Sequence, residues 1–126
     1  IIPTKNRLVT LKHTLKTVLN DNYQSLKVYI IDNNSSDETE NYVKNINDNR
    51  IVYFNTKKNL SMSDNWEFGL SKIKSGYVSI LGSDDGHLHN TCSKVNYILK
   101  NIPDCEINPE TSTAWHSTKS NRVAQF

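Results

Sequence analysis

Asp84 and Asp85 stand side by side after an apolar run, Tyr77 to Leu81, with Gly82 before them and Gly86 behind. Two acids delivered to one rim of a sheet are costly unless positive charge answers them. A divalent cation is the natural answer, because hard cations take oxygen ligands and can bridge carboxylate to phosphate. Such a metal would act as a Lewis acid on a leaving diphosphate, with Arg7 or Lys5 adding positive charge. The plainer reading is a solvated turn made of ordinary turn residues. Asp32 closes another apolar run, Val28 to Ile31, and its carboxylate could accept an N–H from a ligand or cap its own turn. Asn65 falls in the first turn of an expected helix, from which a side chain can reach a site at the strand ends.

Other chemistries lack their residues. The turn after Ile2, Pro3-Thr4-Lys5-Asn6-Arg7, holds no glycine, so the dinucleotide fingerprint is missing, and no Gly-x-x-x-x-Gly-Lys loop exists. No Gly-x-Ser-x-Gly elbow follows any strand. Cys92 and Cys105 fit no zinc spacing and read as reduced thiols. His87 and His89 read as an exposed loop pair without the further partners a metal site needs.

The elements that must position these residues alternate. Ile1-Ile2 is strand, expected to stop at Pro3, which cannot donate to a ladder. Leu8, Leu11, Leu15, Val18 and Leu19 have helical spacing. Lys27 to Asp32 is a buried strand. Asp37 offers an N-cap, with Glu40 completing a capping box, for a helix that turns Tyr42, Val43 and Ile46 inward. Ile51 to Phe54 is a third strand. A helix from Ser63 or Asp64 carries Trp66, Leu70 and Ile73 and ends at Gly76. Tyr77 to Leu81 is a fourth strand, and Thr91 to Lys100 is a last helix. Alternation of this kind predicts an α/β fold with a mostly parallel sheet flanked by helices. Its strand ends would bring Pro3, Asp32 and Asp84-Asp85 to one rim.

At 126 residues the chain is one domain at most. A formal net charge of +2 with dispersed lysines gives no nucleic-acid stripe. No apolar run is long enough to cross a bilayer, which leads to the expectation of a cytoplasmic protein or one peripheral to a membrane. From Asp104 onward the chain is polar and without period. Residues 1–103 are therefore read as the folded part, and 104–126 as a polar tail or the start of a further element.

Four segments carry a resemblance to a known family. Ile1-Ile2-Pro3-Thr4-Lys5-Asn6-Arg7 resembles the opening of family 2 glycosyltransferases. Val28 to Asp37 is similar to that family's second strand and its acidic turn. Asn65 sits where many members have Asn, and Tyr77 to Asp85 is similar to the strand that leads into the Asp-x-Asp metal motif. Order and spacing agree from Ile1 to about Pro103.

The resemblance implies a Rossmann-like GT-A fold, here truncated, that binds a nucleotide-sugar donor, by analogy a UDP-sugar, with Mn²⁺ or Mg²⁺. Pro3, Thr4, Asn6, Arg7, Asp32, Asn34, Asn65 and Asp84 fall at its nucleotide-sugar positions. Pro3 and Thr4 would meet the nucleoside through backbone, Asp32 the base, Asp84 the ribose or metal shell, and Asp85 the metal directly. The acceptor would be a saccharide or another hydroxyl compound. Asn34 stands in place of the usual Gly, Ser83 in place of the first motif acid, and no residue here matches the family's catalytic base. The alternatives are a non-catalytic nucleotide-sugar-binding module of the same fold, or another doubly wound Mg²⁺-binding domain.

Overall fold

The computed structural model describes residues 1–101 and 122–125. Strands and helices alternate as β1 (Ile2–Thr4), α1 (Leu8–Leu19), β2 (Val28–Asp32), α2 (Thr39–Lys44), β3 (Ile51–Asn55), α3 (Met62–Leu70), β4 (Tyr77–Ile80), α4 (Thr91–Asn101) and β5 (Arg122–Gln125). β1, β2 and β3 form one parallel sheet, and β4 and β5 pair in parallel as a second. The two meet at Ile1, whose N donates to Ser79 O at 2.6 Å and whose O accepts from Leu81 N at 2.9 Å. The strands therefore follow one another across the molecule as β3-β2-β1-β4-β5. In such an open sheet the order reverses between β1 and β4, and ligands bind in the crevice beyond the strand ends at that point.

Pro3 does not end β1, which continues to Thr4 with Pro3 opposite Ile31. Alternation along a strand explains this. Thr4 O accepts from Asn33 N on the β2 side, whereas Ile1 bonds on the β4 side. Pro3 shares the orientation of Ile1, so its missing N–H falls on the β4 side and not on the β2 side. The β1–β2 ladder therefore loses no bond to the proline.

Alternation also sorts the two faces. Ile2, Leu11, Leu15, Val18, Val28, Ile30, Val43 and Leu81 form the main core, with α1 and α2 supplying the helical side. Val78 and Ile80 pack on the other face with Ile1, Trp66, Leu70 and Ile73. Gly69 lets α3 approach the sheet closely: a β-carbon there would lie 2.9 Å from Ile31 Cγ1.

Helix ends depart from the sequence reading in three places. Asp37 does not open a capping box with Glu40. One of its carboxylate oxygens accepts from Thr39 N and the other from Leu8 N, so it serves the starts of both α2 and α1. Glu40 instead pairs with Lys44 one turn on. α3 begins earlier than expected, at the N-cap Ser61, whose Oγ accepts from Asp64 N at 3.1 Å and donates to the Asp64 carboxylate at 2.7 Å. α3 also ends at Leu70 rather than at Gly76. Tight turns from Lys72 N to Gly69 O and from Ile73 N to Leu70 O use up its last carbonyls. Gly76 instead lies at φ 102°, just before β4.

Residues 122–125 are a strand where the sequence shows no strand period. The reading of residues 104–121 lies outside the described residues. No helix among the described residues is long and apolar enough to cross a membrane.

Candidate functional site

Three turns meet above the sheet. The first, Lys5 to Arg7, follows β1, and Asn6 sits in it at φ 52°. The second, Asn33 to Ser36, follows β2, and Asn34 takes φ 56°. Asn tolerates that left-handed conformation better than most residues, which is why it can replace glycine there. Asn6 ties the two turns together: its N–H donates to Ser35 Oγ at 2.8 Å and its Oδ1 accepts from Ser36 N at 2.7 Å. Asn6, which the resemblance puts at a nucleotide-sugar position, thus also braces the rim.

The third turn, Gly82 to Gly86, follows β4. Arg7 reaches across from the first turn to form an ion pair with Asp84. This pair spans the crevice between β1 and β4, so residues 77 positions apart in sequence meet where the strand order reverses. Asp84 and Asp85 are both exposed, and both carboxylates fold over Gly82. A β-carbon at Gly82 would lie 2.5 Å from Asp85 Oδ2 and 3.0 Å from Asp84 Oδ1. The missing side chain is what allows two acids to share this space.

α1 anchors the acid turn from below. Thr14, fully buried, donates its hydroxyl to Asp85 O at 2.6 Å. Thr17 Oγ1 accepts from His87 N at 3.0 Å and donates to Thr14 O at 2.8 Å. His87 is half-buried, and burial pushes its pKa below the ordinary value. Thr14 and Thr17 were not singled out in the sequence. Their signal is a pair of hydroxyls three residues apart, one of them on the leucine face of α1.

Asp32 stands at the end of β2 but is fully buried. Its Oδ1 accepts from Ser35 N at 2.9 Å, forming an Asx turn, and its Oδ2 accepts from Tyr53 Oη at 2.5 Å. Burial, with this carboxylate next to it, pushes the Tyr53 hydroxyl well above its ordinary pKa, so it stays protonated. Tyr53 was read only as part of a strand.

Asn65 is buried in α3 and its Oδ1 has no partner among the described residues. Thr4, also buried, has an unpartnered Oγ1. Asn33, which had no assigned role, clamps α3 to the rim: its Nδ2 donates to Leu60 O at 2.9 Å and its Oδ1 accepts from Leu60 N at 2.7 Å. Burial pushes the Cys92 thiol up to about 11, so it is not a poised nucleophile.

No group of three or more His, Cys, Asp or Glu side chains that could hold a metal ion occurs among the described residues. Asp84 and Asp85 over Gly82 still fit a cation of the Mg²⁺ type, which commonly takes one or two carboxylates and completes its shell with phosphate and water.

The chain matches the family described as Glycosyl transferase family 2 over residues 1–107. It is 34% identical over 96 residues to a GalNAc(5)-diNAcBac-PP-undecaprenol beta-1,3-glucosyltransferase of Campylobacter jejuni, a stretch that covers 74% of this chain and 31% of that protein. It is 30% identical over 104 residues to an uncharacterized glycosyltransferase of Haemophilus influenzae, covering 80% of this chain and 42% of the relative. A third relative, an uncharacterized glycosyltransferase of Rickettsia bellii, is 32% identical over 91 residues, covering 71% of this chain and 13% of its own length. The chain thus spans less than half the length of each of these relatives. With a match that takes in β1 through α4 and every turn of the rim, the chain belongs to glycosyl transferase family 2.

Proposed function

We propose that this chain binds the nucleotide-diphosphate-sugar donor of a glycosyltransferase, a UDP-sugar, at the crevice between β1 and β4, and that the sugar passes to a hydroxyl acceptor. The observation that carries the reading is the meeting of Arg7, Asp84 and Asp85 above the point where the strand order reverses. The Campylobacter relative is named for a glucosyl transfer, which makes UDP-glucose the first donor to try.

Each residue then has a task. Asp84 and Asp85 would hold Mn²⁺ or Mg²⁺, which when bound supplies Lewis-acid neutralisation of the leaving diphosphate. Arg7 would donate to phosphate oxygens, with the fork geometry that suits them. Pro3 and Thr4 would line the nucleoside with backbone, and Asn65 would meet the donor from α3. Asn6, Asn34 and Asn33 would hold the turns in place, so that little ordering remains to be done on binding. No residue among those described is assigned as the base that takes the acceptor proton.

Calorimetry with UDP and Mn²⁺, with and without a chelator, tests the reading. Binding that disappears with the chelator is expected. Equal affinity in both conditions would remove the metal, and no binding of UDP, UDP-glucose or any other nucleotide-sugar would remove the donor.

A further inference from the structure

Asp32 ends β2 in the region where the donor base would lie, yet none of its surface is open and both its oxygens are occupied. The hydroxyl that occupies Asp32 Oδ2 belongs to Tyr53 on the neighbouring strand, a residue that is only partly buried. We infer that Tyr53 reads the donor base on behalf of Asp32: its hydroxyl, committed as donor to the carboxylate, presents its oxygen as an acceptor to a base that carries an imide N–H. This inference rests on the donor-binding reading above.

The polarity follows from the hydrogen bonds. A phenol has one proton, and at 2.5 Å from Asp32 Oδ2 that proton is on the carboxylate side. The oxygen is left with lone pairs only. Asn55 Nδ2 approaches it at 3.4 Å, a long contact that leaves acceptor capacity. An acceptor at this place suits the N3–H of uracil and opposes the unprotonated N3 of cytosine. Asp32 is then a positioning residue, and Tyr53 is the group that touches the base.

Two variants separate this from direct contact with Asp32. Tyr53→Phe keeps the ring that packs against the core but removes the acceptor. Asp32→Asn has a predictable orientation, because Ser35 N–H donates to Oδ1 and so keeps the amide oxygen on that side. The amide NH₂ then faces Tyr53, and the hydroxyl turns its proton outward. The probes are UDP, CDP and inorganic diphosphate, each titrated calorimetrically into the full chain with Mn²⁺, with thermal unfolding measured alongside.

The native chain is expected to favour UDP over CDP. Tyr53→Phe is expected to cut that preference about tenfold while diphosphate binding is unchanged, and Asp32→Asn to shift it toward CDP. An unchanged preference in a folded Tyr53→Phe variant would overturn the inference. So would equal binding of UDP and CDP by the native chain, which leaves the donor site standing. If Tyr53→Phe fails to fold, an Asp32→Asn variant that still favours UDP as strongly as the native chain would overturn it. Failure of UDP to bind better than inorganic diphosphate would instead sink the donor-binding reading itself.

Discussion

Arg7 occupies the site it is expected to serve. In the absence of ligand it neutralises Asp84, one of the two acids proposed for the metal. A cation arriving alone must compete with it, whereas a cation arriving with diphosphate gives Arg7 a new partner. Removing the guanidinium should therefore act in opposite directions on the two binding events. The side chains of the pair are 54% and 53% exposed, so it is a surface ion pair, worth about 0.2–1 kcal/mol after screening. At 1.4 kcal/mol per factor of ten, Arg7→Gln should tighten Mn²⁺ alone by about 1.4-fold to fivefold. A hydrogen bond to a charged group is worth about 1.5–3 kcal/mol, so the same change should weaken UDP binding to the Mn²⁺-loaded chain by about 10- to 100-fold. Both are measured by calorimetry at fixed ionic strength, first titrating Mn²⁺ into the chain and then UDP into the loaded chain. If Arg7→Gln weakens Mn²⁺ alone, Arg7 holds the acid turn in shape rather than competing for it. If UDP affinity does not change, Arg7 does not meet the phosphates. Either result refutes the reasoning.

Gly82→Ala should abolish metal-dependent UDP binding while costing little stability, since the nearest atoms its β-carbon would meet belong to the exposed Asp84 and Asp85 carboxylates; unchanged binding would show that the two acids do not act together there. Asp37→Ala should destabilise the fold by about 2 kcal/mol, roughly 1 kcal/mol for each helix start it serves, measured by urea unfolding; a loss typical of one cap would mean that the bond to Leu8 N contributes nothing. Asp21 gives a pH prediction. Burial by itself raises its pKa, but hydrogen bonds from Cys92, Tyr23 and Ser93 outweigh that and hold the carboxyl below its ordinary value. A depressed folded pKa contributes stability that is present above the unfolded value of about 3.9 and is lost as pH falls through the folded one. Asp21→Asn should therefore flatten the acid limb of a melting-temperature profile, and a limb of unchanged slope would count against it.

The order of elements from β1 to α4 was legible because these strands are short apolar runs and these helices have stripes of matching period, whereas β5 has neither. The convergence of Pro3, Asp32 and Asp84-Asp85 followed from that order, since parallel strands put all their carboxyl ends on one side. Helix boundaries were less legible. Asp37 has the right type for a cap, and the box with Glu40 has the right spacing, but the second bond of Asp37 goes to Leu8, 29 residues earlier. Nothing local in the sequence marks a cap shared between two helices. The same holds for Asp21, at the end of α1, which accepts from Cys92 N in the first turn of α4.

What the sequence shows least is how polar side chains divide between binding a ligand and holding the rim that binds it. Asn6, Asn33 and Asn34 look alike in a polar turn, yet Asn6 bridges two turns, Asn33 clamps the start of α3 and Asn34 supplies a left-handed residue. Asp32 shows the difference most sharply. Its place at the end of a buried strand makes it a candidate to touch a ligand, and the same burial lets Ser35 and Tyr53 take both of its oxygens. A carboxylate so enclosed still acts on its surroundings, because it decides which way the Tyr53 proton points. Specificity at this rim can therefore be set by a residue with no exposed surface, through a neighbour whose type, a tyrosine in an edge strand, carries no functional signal of its own.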